Sequence, residues 1–378
     1  MAAPQSLPPP SRRRLLKATG LAALLAGCGA PPATAPAVRN PALRLIGETR
    51  LPHRLRFEGT TVGGLSGLDY DPARDLWYAV SDDRSAPRFY TLRLPIAAGQ
   101  IGPAELLSVQ RLTPNDRPDP ESMRWRARTG TLLWSGEGEV SRGQPPLLRE
   151  SALDGRELRR FVLPPHFDVD PTGERGPRDN KGFEGLALTP DGQGAWAAME
   201  AALHQDGPLP RVGAVGGPCR FTLFDLTSGQ AVAQRAYVPE AIPHAARLPL
   251  MYADNGVSEI LMLDAQRMLV LERSYMAGMG NALRLYRVAL ASGSDTLALP
   301  TLRPGEFTPL RKTLVADLSA YLGPNLAKLD NSECLAWGPT LPGAPGQPPQ
   351  RTLVLLSDDN FNPMQVTQFV AFALTDAL

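Results

Sequence analysis

Five segments of this chain repeat one layout, and that repeat limits the available folds more than any other feature. In each, a small or acidic residue opens an apolar run, a turn follows, and a second apolar run ends in an acid. The openings are Ser66-Gly67-Leu68, Glu121-Ser122-Met123, Glu184-Gly185-Leu186, Glu259-Ile260-Leu261 and Glu333-Cys334-Leu335. The closing acids are Asp82, Glu137, Glu200, Glu272 and Asp358. Opening and closing residues stand 16 apart in the first three segments, 13 in the fourth and 25 in the fifth, where the Pro- and Gly-rich stretch from Pro339 to Gln350 lengthens the turn. A third run follows each pair (Arg88 to Leu94, Leu147 to Leu153, Arg220 to Leu226, Ala282 to Leu290, Gln365 to Leu374). A fourth follows in four cases (Glu105 to Leu112, Glu157 to Leu163, Gln230 to Val238, Lys312 to Leu318). Four antiparallel strands recurring in this way describe the blade of an all-β propeller. Composition agrees: 39 prolines and 35 glycines in 378 residues favour short strands joined by turns and exclude a helical bundle.

The last segment lacks a fourth strand, whereas Leu43 to Leu51 reads as a strand with no hairpin partner. The N-terminal strand is therefore expected to complete the last blade and close the ring. The count is five blades, or six if the stretch from Ala241 to Val257 hides a divergent unit.

In an antiparallel hairpin the start of the first strand and the end of the second lie at the same edge. With the first strand innermost, the repeat gathers its acids at one channel mouth. Glu121, Glu184, Glu259 and Glu333 form an inner ring, with Asp82, Asp83, Glu137, Glu200, Glu272, Asp358 and Asp359 just outside it. Crowded carboxylates need counter-charge. Arg84, Lys181 and Arg273 are sequence neighbours of these acids but too few to balance all of them. Hard oxygen donors without nearby His or Cys favour Ca²⁺ as the remaining balance. The histidines, His53, His166, His204 and His244, have no ligand spacing and read as loop or surface residues. A salt-bridged ring without metal is the structural alternative.

The N-terminus reads as an address rather than a fold. Ser11-Arg12-Arg13-Arg14-Leu15-Leu16-Lys17 matches the twin-arginine export pattern, and the apolar stretch Ala18 to Gly27 is too short for a permanent span. It ends in Leu25-Ala26-Gly27-Cys28, a lipobox pattern in which Cys28 is acylated. The expected division is a signal peptide over 1–27, a Pro- and Ala-rich tether over 28–40 and a propeller over 41–378. The protein is then a monomer lipid-anchored to a bacterial membrane on its periplasmic side. Residues 1–27 carry four basic side chains and no acid, so removing them takes the net charge from +1 to −3. A weakly acidic body lacks the electrostatic footprint of a nucleic-acid binder. Only Cys219 and Cys334 remain beyond Cys28, so there is no disulfide framework; Cys334 lies in an apolar run and reads as a buried free thiol, with a Cys219 to Cys334 bond as the alternative.

Three groups of residues resemble a known family: Gly64-Leu65-Ser66-Gly67-Leu68-Asp69-Tyr70 with Ser81-Asp82-Asp83-Arg84, then Asp119-Pro120-Glu121, then Asn180-Lys181-Gly182-Phe183-Glu184-Gly185-Leu186. They are similar to the phytase-like domain of bacterial proteins called "esterase-like activity of phytase", over about residues 43 to 378. Ser122, where the family prefers Gly, and the glycine-free Ser258-Glu259-Ile260 depart from its pattern. The resemblance implies a propeller and hydrolysis of phosphate or carboxyl esters. On that reading Ca²⁺ neutralises the substrate, a carboxylate such as Glu184 acts as base, and Lys181, Arg273 or Arg84 steadies developing charge. Other hydrolytic signatures are missing: there is no Gly-x-Ser-x-Gly elbow, Walker A loop or His-Glu-x-x-His. The alternatives are a ligand-binding or scaffolding propeller without turnover and a Ca²⁺-dependent lactonase.

Overall fold

The outermost strand of each four-stranded repeat is its least buried, because the inner strands are covered by neighbouring repeats on both faces while the outer one meets solvent. The inner strand Pro120–Arg126 is buried at every residue, whereas the outermost strand of the same unit, Glu157–Arg160, alternates between half-buried and exposed. The computed structural model describes residues 37–248, 251–343, 345, 346, 348–375 and 378. The signal segment, Cys28 and residues 29–36 lie outside the described residues.

Five four-stranded antiparallel sheets form the blades of a β-propeller. Blade 1 is built from Leu65–Asp71, Leu76–Ser81, Arg88–Arg93 and Glu105–Arg111, and blade 2 from Pro120–Arg126, Thr131–Gly136, Leu147–Ser151 and Glu157–Arg160. Blade 3 contains Phe183–Leu188, Gly194–Met199, Cys219–Asp225 and Ala231–Tyr237, and blade 4 Ala253–Met262, Arg267–Met276, Gly280–Ala289 and Lys312–Asp317. Blade 5 contains Ser332–Trp337, Thr352–Ser357 and Gln368–Leu374, and takes Leu43–Arg50 as its fourth strand. Leu43 pairs with Leu374 and Arg50 with Gln368, antiparallel, so the N-terminal strand closes the ring as expected. Among the described residues the stretch from Ala241 to Val257 adds no sixth blade; its end extends the inner strand of blade 4. The apolar core lies between neighbouring blades, one cluster joining blades 5 and 1 through Trp77, Tyr90, Leu356 and Phe369. Cys219 and Cys334 are both buried free thiols, so no bond joins them.

Five blades leave a narrow axis, and a buried arginine fills it. The Arg124 guanidinium donates to Leu68 O (2.8 Å), Leu186 O (2.6 Å), Ile260 O (3.1 Å), Leu335 O (3.0 Å) and Met123 O (3.1 Å). These carbonyls belong to the inner strands of all five blades. Its counter-ion is Glu259, 2.9 Å away and fully buried. Glu259 also accepts from Ser122 Oγ (2.7 Å), Leu186 N (2.8 Å) and Ile260 N (2.8 Å). Burial lifts its carboxyl to about 7 despite Arg124 beside it.

Candidate functional site

The same local irregularity recurs in every inner strand and creates the site. The pairing of first and second strand slips between Leu65 and Gly67, Pro120 and Met123, Phe183 and Gly185, Val257 and Glu259, and Ser332 and Cys334. A bulge re-aims the extra residue. The residues in the slips are Ser66, Glu121 with Ser122, Glu184, Ser258 and Glu333. The second strands run on to Asp82, Glu137, Glu200, Arg273 and Asp358, each one residue beyond the residue paired at the slip (Ser81, Gly136, Met199, Glu272 and Ser357).

This register corrects blade 4. Sequence spacing assigns Glu259 and Glu272 to the mouth, but the equivalent positions are Ser258 and Arg273. Side chains alternate faces along a strand, so an error of one residue sends both acids elsewhere. Glu259 turns to the axial arginine. Glu272 accepts from Tyr237 Oη (2.6 Å), Lys312 Nζ (2.8 Å), Asn255 Nδ2 (3.0 Å) and Glu240 N (3.0 Å), all in or beside blades 3 and 4. Asp359 also leaves the expected set: its Oδ1 accepts from Gly64 N (3.0 Å) and Phe361 N (3.0 Å) and fixes a loop. Asp83 reaches the mouth but is engaged by Arg88 at 2.7 Å.

The other expected acids, Asp82, Glu121, Glu137, Glu184, Glu200, Glu333 and Asp358, line one cavity of roughly 1100 Å³ together with Arg84, Lys181 and Arg273. Asp119, Asp254 and Tyr252, to which the sequence reading assigned no role, join them. Asp119 lies in the loop just before the inner strand of blade 2, with a left-handed φ of 52°, and is held there by Arg84. Asp254 arrives because the first hairpin of blade 4 has 10 residues in each arm, longer than its counterparts. The lining holds eleven acidic side chains and five basic ones, and no His or Cys among the described residues.

The cations are already engaged. Arg84 pairs with Asp119 and donates to Asn180 Oδ1 (2.8 Å). Lys181 lies between Glu200 (2.8 Å) and Asp254, whose Oδ2 also accepts from Tyr252 Oη (2.8 Å). Arg273 spans Glu333 (3.3 Å) and Glu200 (3.8 Å). Burial opposes the charge on Lys181, yet Glu200 and Asp254 hold its proton more firmly than usual.

Two three-carboxylate groups remain. In Asp119, Glu121 and Glu137, and in Glu137, Glu184 and Glu200, the ligand oxygens lie within 4.8 Å of one another, and Glu137 belongs to both. Glu121 and Glu184 are 8% and 6% exposed. Among the described residues neither accepts a hydrogen bond nor meets a cation within salt-bridge distance, and Asp82 Oδ1 is buried without a partner. Burial first, then neighbouring carboxylates, push Asp82, Glu121, Glu184 and Asp358 well above the ordinary range and Glu137 to about 8. Carboxylates so placed stay charged only if a cation joins them.

Gly182 explains part of the Asn-Lys-Gly-Phe-Glu-Gly-Leu run. A Cβ there would lie 2.6 Å from Glu137 Cα, and Gly182 N donates to Glu137 Oε1 at 2.7 Å. Gly64, with φ of 60°, plays a similar part in blade 1: a Cβ on it would overlap the Asp82 carboxylate.

No curated protein matches the chain. Among solved structures it is similar to the Pseudomonas aeruginosa periplasmic gluconolactonase PpgL at 12% identity and a TM-score of 0.35, covering 84% of this chain and 87% of that one. A hypothetical protein from Leishmania major gives 12% identity and a TM-score of 0.36 over 89% and 87%. The Dos1 propeller gives 8% identity and a TM-score of 0.34 over 82% and 68%. Such distant likenesses carry no argument about chemistry. A family model is more telling, because it matches residues 60–361 and so takes in the slipped inner strands and the acids they gather. The chain belongs to the phytase-like family described as "esterase-like activity of phytase".

Proposed function

We propose that the acidic mouth binds Ca²⁺ and hydrolyses a phosphate or carboxyl ester. The observation that carries this reading is the pair Glu121 and Glu184, buried carboxylates without a donor or cation, each within a group that shares Glu137. The all-oxygen donor set fits a hard divalent ion. Asp119, Glu121, Glu137, Glu184 and Glu200 would hold it. When bound, Ca²⁺ supplies charge neutralisation to an anionic substrate and lowers the proton affinity of nearby water.

The chain's own residues do the rest. Glu184, which no basic side chain pairs among the described residues, is the candidate base for a water at the mouth. Lys181 and Arg273 divide the charge of Glu200, and Arg273 with Arg84 offers donors where negative charge develops. Lys181 fixes Asp254 and Glu200 relative to each other, so the acid set is preorganised. The twin-arginine pattern and Cys28 support export and lipid anchoring on the periplasmic side of a bacterial membrane. A second reading, a propeller that binds a ligand without turnover, draws on the engagement of Arg84, Lys181 and Arg273 by acids, which leaves each with less charge to lend.

The test is a calorimetric Ca²⁺ titration of the full chain followed by p-nitrophenyl ester and p-nitrophenyl phosphate assays in Ca²⁺ and in EDTA. Turnover that needs Ca²⁺ and falls in Glu184→Gln supports the hydrolase. Binding without turnover favours the ligand-binding reading, and absence of both overturns the site.

A further inference from the structure

A second cavity, of roughly 680 Å³, lies on the outer flank of blade 1 and shares Asp83 and Phe361 with the acidic mouth. Its charge is opposite. Arg54, Arg56, Arg88 and Arg111 line it, and Asp83 is its only acid. Arg88 is buried and pairs with Asp83 at 2.7 Å, so it is already neutralised. Arg56 donates to Thr61 Oγ1 (2.7 Å) and Gly59 O (3.2 Å), neutral partners that leave its charge uncompensated. Among the described residues the guanidinium groups of Arg54 and Arg111 have neither a hydrogen-bond acceptor nor an ion-pair partner. Glu58, in the hairpin that carries Arg56, accepts from Val109 N at 3.3 Å and pairs with none of these guanidinium groups within salt-bridge distance.

Sheet register sharpens the point. Arg88 and Arg111 stand directly opposite each other on the two outer strands of the blade. Like charges in that relation destabilise a sheet. Four guanidinium groups against one carboxylate leave an excess of three positive charges, more than a single carboxylate ligand would balance. Guanidinium forks match the paired oxygens of phosphate, and Thr61 beside them adds a hydroxyl.

We propose that this cleft is an anion site for a multiply charged oxyanion of the phosphate class. The inference is independent of the hydrolase reading, since none of the carboxylates assigned to Ca²⁺ lines the cleft. Arg54 and Arg111 are its principal ligands, and Arg88, held by Asp83 and stacked 5.9 Å from the Phe361 ring, forms the wall toward the mouth.

The test is calorimetry on the full chain in EDTA at constant ionic strength, with inorganic phosphate and phenyl phosphate as separate probes and acetate as competitor. Saturable binding that weakens by about tenfold or more in Arg54→Gln/Arg111→Gln is expected, the loss of two charge-assisted contacts. Arg128→Gln/Arg156→Gln, which removes two exposed charges from blade 2, should leave it unchanged. Equal affinity for both probes means that the free ion suffices; preference for phenyl phosphate identifies a phosphate group carried on an organic ester. Either result supports the site. Absence of saturable binding, equal loss in the Arg128/Arg156 control, full retention in Arg54→Gln/Arg111→Gln, or displacement by acetate as readily as by phosphate would overturn it. Arg54 and Arg111 are exposed, so unchanged melting of the double variant separates lost binding from lost fold.

Discussion

Arg124→Met tests the idea that one side chain ties the five blades together. The substitution keeps approximate length and apolar volume but removes every donor on the axis. Four inner-strand carbonyls from other blades lose their partner, and Glu259 is left fully buried without its counter-ion. Removing one member of a buried pair costs about 3–5 kcal/mol, and the orphaned carbonyls add to that, although not additively. A domain of this size loses at most about 2–4 °C per kcal/mol, so melting should fall by roughly 5–15 °C. Differential scanning calorimetry reads it directly. The partner variant, Arg124→Met/Glu259→Leu, removes the stranded carboxylate as well. It should melt above the value obtained by adding the two single effects, with a coupling of about 1–3 kcal/mol. Additive single effects, or an Arg124→Met protein that melts with the wild type, would refute the axial role.

Other outcomes follow from the same geometry. Burial raises Glu137 to about 8, so the protonated form is the one that the metal-free fold favours; its contribution is full below the ordinary value of 4.5 and is lost as pH rises through about 8. Metal-free melting temperature should therefore decline over that window, with a shallower slope in Glu137→Gln, and the gain from Ca²⁺ should grow with pH because the ion replaces protons. Deleting residues 43–50 removes buried Leu43 and Ile46 and bares the outer edge of Gln368–Leu374, which keeps its pairing with Thr352–Ser357, a loss of about 3–6 kcal/mol with aggregation at the bared edge, measurable by melting and light scattering. Cys28→Ala should move the protein from the membrane to the soluble fraction; equal partition of wild type and variant would count against the anchor.

The parts of this molecule that repeat were readable before folding, and the parts that interrupt the repeat were not. A constant separation of 16 residues carried Ser66/Asp82, Glu121/Glu137 and Glu184/Glu200 to the mouth, because hairpin length fixes which residues share an edge. Blade 4 defeats the assignment of acids, not the number of blades, since it has Ser258 and Arg273 at the equivalent positions and acids one residue away. A two-residue periodicity cannot reveal such a slip when both faces of an inner strand are buried. Arg124 and Glu259 lie 135 positions apart, and no local pattern announces a pair formed on an axis. Asp254 and Tyr252 reach the site through the extra length of one hairpin, which hydrophobic patterning marks only faintly. Asp119 comes from the loop before Pro120 with a φ of 52°, a conformation that strand alternation does not anticipate.

The central claim is that the buried acids of the mouth hold a divalent ion, and the response of the melting temperature to Ca²⁺ tests it most directly. An ion that binds the folded chain and not the unfolded one stabilises it by about 2.7 kcal/mol at a hundredfold excess over its dissociation constant. Saturating Ca²⁺ should raise the melting temperature, EDTA should reverse the rise, and Glu184→Gln should blunt it while leaving the fold intact. A wild-type melting curve unmoved by millimolar Ca²⁺ and by EDTA would contradict the account and leave the acids as proton-sharing, salt-bridged structure.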